Sequence, residues 1–333
     1  MLNLLIMNRD KDANRVIYMY MNIKTIFLIL VIIVVVGLCI LFLNLTLKPE
    51  VEKYAREEAP EYGKFAALEQ GDVYYELAGP EDGPPVILVH GSIVYNISWD
   101  KNFYELANAG FRVVRFDLYG RGNSSRPNIA YTATVYLNQI KQLLDYVEFT
   151  KNVHLIGLSM GGALVTMFAE QYPQVVNSVI LVDPITPQFW KSTSGKKIIQ
   201  RSIERFQKIL GKKTEVQEKR LQIVGPLLKK MRNQFKYKGV GRSIYSGIKH
   251  LKKVDLSTAY QKLGTRKNPT LLIWGELDDV IPVSESSDVL KLVPQTEFHP
   301  VKSAGHLVQY EKPEEVNRLL IDFIKRHSAD SSS

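Results

Sequence analysis

The stretch "NVHLIGLSMGGALVTMFAEQYP", residues 152 to 173, decides the fold. An apolar run of strand length, 153 to 157, runs through Ser159 into a segment, 160 to 172, whose apolar residues have helical spacing. Gly157, Gly161 and Gly162 surround the single serine, and without side chains they leave room for a very tight turn. Two readings of Ser159 follow. It is either a small residue where a strand turns sharply into a helix, or a nucleophile exposed at that turn with the N–H groups of the helix start beside it.

The same alternation extends outward in both directions. "VYYELA" (73 to 78), "PVILVH" (85 to 90), "RVVRFD" (112 to 117), "VHLIG" (153 to 157), "SVILVD" (178 to 183), "TLLIWG" (270 to 275) and "EFHPV" (297 to 301) read as strands. Runs such as Val86 to Val89 and Val179 to Val182 are apolar on successive residues, as in strands buried on both faces of a parallel sheet. With helical spacing at 136 to 149 and 160 to 172 between them, the pattern predicts an α/β fold. It is expected to have a mostly parallel central sheet with helices on both faces. Between Asp183 and Pro269 no buried strand is evident, which predicts an inserted helical region.

Composition supports a folded chain: of 333 residues, 45% are hydrophobic and 10% aromatic. Cys39 is the single cysteine, so no intrachain disulfide is possible. After an N-terminal segment (1 to 25), the apolar residues 26 to 47 have the length of a bilayer span, about 33 Å at about 1.5 Å per residue. They predict an uncleaved transmembrane anchor, since the run is longer than a signal peptide's apolar region and lacks its cleavage site. Basic residues are nearly balanced on its two sides, and the expectation is a single-pass membrane protein with the large domain outside the cytoplasm. A charged stalk is expected at 48 to 64, a sheet domain at 65 to 184 and 263 to 327, a helical insertion at 185 to 262, and a disordered tail at 328 to 333.

A serine hydroxyl attacks poorly near neutral pH unless a base takes its proton and donors stabilise the oxyanion that forms. Four separated motifs bear on this: "LVHGS" (88 to 92), "FDLYGRGNSSRP" (116 to 127), "GLSMGG" (157 to 162), and the pair "WGELDDVIP" with "SAGHLVQYEKP" (274 to 282 and 303 to 313). Together they resemble the α/β-hydrolase superfamily over about residues 65 to 327, in which nucleophile, acid and histidine follow in that chain order. The resemblance implies Ser159 as nucleophile, Asp278 as acid and His306 as base. Asp278 has the family's proline four residues on, at Pro282. Asp279 and Asp183 are the alternative acids, the latter ending an earlier strand where some relatives carry it.

The oxyanion is expected to rest on the backbone N–H groups of Ser92 and Met160, with Ile93 the alternative to Ser92. His90 is expected to order that loop, and the remaining histidines, His154, His250, His299 and His327, to be structural or exposed. The loop "HGSIVYNISWD" departs from the family in lacking the proline or second glycine often found there. A serine at the nucleophile position argues against the aspartate chemistry of epoxide hydrolases and haloalkane dehalogenases. No cofactor fingerprint or metal-ligand cluster is read, and neither is expected.

In this superfamily an insertion after the sixth strand forms a cap over the nucleophile. Here residues 187 to 262 hold 20 Lys and Arg against 4 Asp and Glu, in a chain whose net charge is only +9. Either a solvated lysine-rich face or attraction to anionic lipid fits that charge, and nucleic acid is not an expected partner. Anchor and cap together favour a lipid or monoacylglycerol-like ester, as in the membrane-anchored monoacylglycerol lipases and carboxylesterases of the fold. The same triad could instead serve carbon–carbon bond, thioester or lactone hydrolysis or acyl transfer, and a non-catalytic tethered binding protein is the reading from another class.

Overall fold

Eight strands form one sheet in the order β1-β2-β4-β3-β5-β6-β7-β8, in a computed structural model that describes residues 59–192, 215–266 and 268–328. The chain divides into two units, Met1–Glu50 and Val51–Ser333, and everything described lies in the second. The strands are β1 Lys64–Leu68, β2 Gly71–Ala78, β3 Pro85–Val89, β4 Arg112–Phe116, β5 Val153–Leu158, β6 Val176–Val182, β7 Thr270–Gly275 and β8 Glu297–Val301. From β4 to β8 every pairing is parallel, while β1 with β2 and β2 with β4 are antiparallel.

Side chains alternate across a strand, so a run that is apolar at every position feeds two cores. Ile87, Leu155, Val179, Leu181 and Leu272 pack on one face, and Val86, Ile156, Ile180, Val182 and Ile273 on the other. The first face is covered by helices Ala133–Tyr146, Met160–Gln171 and Leu256–Arg266, the second by Phe103–Asn108 and Pro313–Ser328. The carboxyl ends of the parallel strands all lie at one edge of the sheet, the place where open α/β sheets build their sites.

Between β6 and β7 the described α-helices are Pro187–Ser192, Glu215–Asn233, Val240–Leu251 and Leu256–Arg266, with a short 3-10 turn at Gln234–Lys236. They are fastened by directional bonds as well as by apolar contact. The indole of Trp190 donates to Leu251 O at 2.9 Å, the Tyr260 hydroxyl to Ile185 O at 3.0 Å, and Arg266 Nη1 to Ala169 O at 2.8 Å.

Three expectations are altered. The single-pass membrane localisation is corrected: among the described residues no helix is long and apolar enough to cross a membrane. The longest described helix near the required length, Glu215–Asn233, carries Glu218, Lys219, Arg220, Lys229, Lys230 and Arg232, charges too costly for hydrocarbon. The run 26 to 47, read as the anchor, lies outside the described residues. Next, Lys64 at the expected end of the stalk already begins β1, which pairs with β2 from Lys64 opposite Tyr75. Lastly, Ser328 is still helical, its hydroxyl bonded to Ile324 O at 2.8 Å and to His154 Nε2 at 3.0 Å. The remaining five residues of the expected tail lie outside the described chain.

Candidate active site

Ser159 sits at the turn between β5 and the helix Met160–Gln171 with φ +54° and ψ −114°, a conformation strained for any residue with a Cβ. Neighbours over-determine it. Ser159 N donates to Val182 O at 2.9 Å, while Ser159 O accepts from Gly162 N at 3.0 Å and Ile185 N at 3.1 Å. Glycine is required on both sides because a Cβ on Gly157 would strike the Gly161 carbonyl, and one on Gly161 would strike the carbonyls of Val89 and His90. The turn therefore locks the end of β5 against the end of β3 and points the serine hydroxyl out of the strand edge.

His306 lies in the loop after β8, its Nε2 at 3.0 Å from Ser159 Oγ and its Nδ1 at 2.8 Å from Asp278 Oδ2. Asp278, in the loop after β7, is held from behind: its Oδ1 accepts from Val280 N at 2.8 Å and Ile281 N at 2.9 Å. The Asp278 side chain is 0% exposed, whereas Asp279 is exposed, so the neighbouring pair of aspartates is resolved by the loop's own turn. Burial works against a charged imidazole, but Asp278, in charge and hydrogen bond, outweighs it with help from Asp183 and Asp279, lifting the His306 pKa to about 9.

Asp183, the other alternative acid, is fully buried beside this pair at the end of β6 with φ +43°. Its Oδ1 accepts from Gly275 N at 2.9 Å and its Oδ2 from Val308 N at 3.3 Å. It thus brackets the two loops that carry Asp278 and His306. Burial, reinforced by the Asp278 charge, raises its pKa well above the usual carboxylate range. Ligand atoms of Asp183, Asp278 and His306 lie within 4.8 Å of one another, the one such group among the described residues. Each of those groups is already engaged in the hydrogen bonds given above, so a cation would have to displace them.

The loop after β3 faces the nucleophile, since a Cβ on Gly91 would come 3.3 Å from Ser159 Cβ. Ser92 and Ile93 are half-buried there, and no hydrogen bond among the described residues uses the amides of Ser92, Ile93 or Met160. His90 is fully buried, its Nε2 accepting from Leu118 N at 2.9 Å and its Nδ1 bonded to Gly91 O at 2.8 Å. Burial drives its pKa down to about 3, so it stays neutral. His154 is buried against Ser178 Oγ at 2.7 Å, and His250, with His299 and His327 half-buried, is bonded within its own helix.

Two contributors lie within motifs quoted from the sequence, but the motifs themselves assign them no role. Asp117 binds the amides of Asn96 and Asn123 at 2.9 and 2.8 Å, joining the β3 and β4 loops, and burial lifts its pKa to about 7. Glu311 accepts from Gly305 N at 3.0 Å, next to His306, and from Arg220 Nε of the insertion at 2.7 Å. An apolar cavity beside the nucleophile's helix is lined by Met160, Ala163, Met167, Ile185, Trp190 and Leu251, with Val254 and Leu256.

Comparison with known proteins gives a family model, described as alpha/beta hydrolase fold, matching residues 84–313. The chain is 27% identical to Lipase 1 of Psychrobacter immobilis, covering 83% of this chain and 87% of the lipase. It is 26% identical to the 2-hydroxy-6-oxo-6-phenylhexa-2,4-dienoate hydrolase of Comamonas testosteroni, covering 79% of this chain and 96% of that protein. In fold it is similar to the bromoperoxidase from Bacillus anthracis, with TM-score 0.65, 22% identity, and 79% and 99% of the two chains covered.

Proposed function

The chain belongs to the alpha/beta hydrolase fold family and is a hydrolase, and from that premise we propose that it cleaves carboxylic esters through an acyl-enzyme on Ser159. The observation that carries the reading is the unbroken line of bonds from Ser159 Oγ to His306 Nε2 at 3.0 Å and from His306 Nδ1 to Asp278 Oδ2 at 2.8 Å. With its Nδ1 proton given to Asp278, a neutral imidazole leaves Nε2 free to take the serine proton as Oγ attacks the acyl carbon.

The oxyanion that forms is received by the amides of Met160, at the positive end of its helix, and Ser92, with Ile93 the second candidate in the same loop. His306 then returns its proton to the leaving alcohol, and a water activated by the same imidazole releases the acid. The Asp278 carboxylate steadies the imidazolium between the two steps. The helices between β6 and β7 act as a cap, and the similarity to Lipase 1 of Psychrobacter immobilis supports an ester with an apolar acyl group, lipid esters among them.

A panel of p-nitrophenyl esters of rising acyl length tests this. Turnover that vanishes in Ser159→Ala is expected, with kcat/KM rising beyond the acetate. Equal turnover by Ser159→Ala would overturn the assignment. A second reading keeps the triad for a dienoate of the kind named for the Comamonas relative, which is similar over 79% of the chain. Hydrolysis of such a substrate with inert p-nitrophenyl esters would favour it.

A further inference from the structure

Three successive carbonyls of the loop facing Ser159 are each held by a side chain from a different part of the chain. His90 Nδ1 donates to Gly91 O at 2.8 Å, Arg121 Nε donates to Ser92 O at 2.7 Å, and Gln234 Nε2 of the insertion donates to Ile93 O. In a trans peptide the C=O and the following N–H point in opposite directions. Bonds on the Gly91 and Ser92 carbonyls therefore set the directions of the Ser92 and Ile93 amides, the two candidates for receiving the oxyanion.

Arg121 is the unexpected member of this set. It is 0% exposed, and among the described residues no carboxylate lies within ion-pair distance of it. Its Nη1 donates to Ser243 Oγ at 2.7 Å and lies 3.4 Å from Tyr119 O, while Nη2 has no hydrogen-bond partner among the described residues. Burying a guanidinium without a counter-charge opposes folding, and a neutral side chain of the same length would fill this space at less cost. What the guanidinium supplies is two donors at a fixed angle. One is spent on the peptide between Ser92 and Ile93, the other on Ser243 in the insertion helix Val240–Leu251. The Ser243 hydroxyl has a single proton to donate, within reach of Gly120 O at 2.9 Å and Val240 O at 2.7 Å, so it too is held in place.

We propose that Arg121 is a positioning residue for oxyanion stabilisation, a clamp that orients the Ser92–Ile93 peptide and ties that orientation to the seating of the helical insertion. The inference rests on the ester-hydrolysis reading of the preceding subsection. A clamp of this kind acts in the transition state, so its loss lowers kcat and leaves KM nearly unchanged.

The test compares wild type with Arg121→Met and Arg121→Lys on p-nitrophenyl butyrate, with the rate of fluorophosphonate labelling and the melting temperature measured on each. Arg121→Met is expected to lose about 10- to 100-fold in kcat and in labelling rate, part of the cost of removing an oxyanion donor outright, with KM within about threefold. Arg121→Lys, which keeps one donor, is expected to recover part of the loss. Should Arg121→Met not fold, Ser243→Ala removes only the insertion's end of the clamp, with an expected kcat loss of about three- to tenfold. Folded variants with wild-type kcat would overturn the clamp alone, and a rise in KM at constant kcat would do the same. A wild-type protein that neither hydrolyses the ester nor takes the label would overturn the proposed function and the clamp with it.

Discussion

Replacing Asp278 by Asn removes the charge that sets the pH at which His306 can accept a proton. In the wild type the imidazole pKa stands at about 9 against an ordinary 6.5, because the Asp278 carboxylate overcomes the effect of burial. That gap corresponds to roughly 3 kcal/mol favouring the charged ring, at about 1.4 kcal/mol per pH unit. Only the neutral ring is a base, so kcat/KM of the wild type is expected to rise about tenfold per pH unit and to level off near pH 9. In Asp278→Asn burial is opposed only by Asp183 and the exposed Asp279, so the midpoint falls below 9. The plateau also falls by roughly 10³- to 10⁴-fold, since the amide N–H can bond Nδ1 and turn the proton of Nε2 toward the serine. The same raised pKa adds folding stability that is complete below pH 6.5 and is lost as pH rises through about 9. The assay is kcat/KM for a p-nitrophenyl ester from pH 5 to 10 at constant ionic strength. A midpoint that stays put in the variant would refute the role given to Asp278.

Other perturbations follow from the same contacts. Ser159→Gly relieves the positive φ that Ser159→Ala retains, so by urea denaturation the inactive glycine variant is expected to be more stable than the alanine one by about 1 kcal/mol; equal stabilities would contradict the strain. Burial lowers the His154 pKa to about 4, so its share of stability is present above pH 6.5 and lost as pH falls toward 4. The penalty of His154→Asn relative to wild type should therefore shrink by about 1.4 kcal/mol per pH unit over that range. Arg115→Met leaves Glu76 buried without the guanidinium now 2.7 Å from it and should destabilise the fold by about 3–5 kcal/mol, with part regained in the double variant carrying Glu76→Gln.

Most of this architecture can be read from runs of apolar residues, because the parallel strands are buried on both faces and have no polar alternation to disguise them. β1 could not be read that way: in Lys64–Leu68 only Ala66 is buried, and the segment has no β-branched residue. Helix Ala133–Tyr146 begins three residues before the apolar spacing suggests, at a start signalled by Thr132, whose hydroxyl accepts from Val135 N at 3.3 Å. In the site, Ser159, Asp278 and His306 are legible as residues placed just past predicted strands. The choice between Asp278 and Asp279 has a motif behind it, but the physical reason is a turn that buries one carboxylate and exposes the other. Asp183 and Arg121 act through tertiary bonds to Gly275, Val308, Ser92 and Ser243, and no local pattern announces partners so far away in sequence.

The central claim is that Ser159 is an activated nucleophile, and a fluorophosphonate probe tests it most directly. Incubated with the purified protein and followed by peptide mass spectrometry, the probe is expected to add to the Ser159 hydroxyl and to no other serine, with labelling abolished in Ser159→Ala and slowed at pH values well below 9. No adduct on Ser159, or one unchanged in Ser159→Ala, would contradict the account.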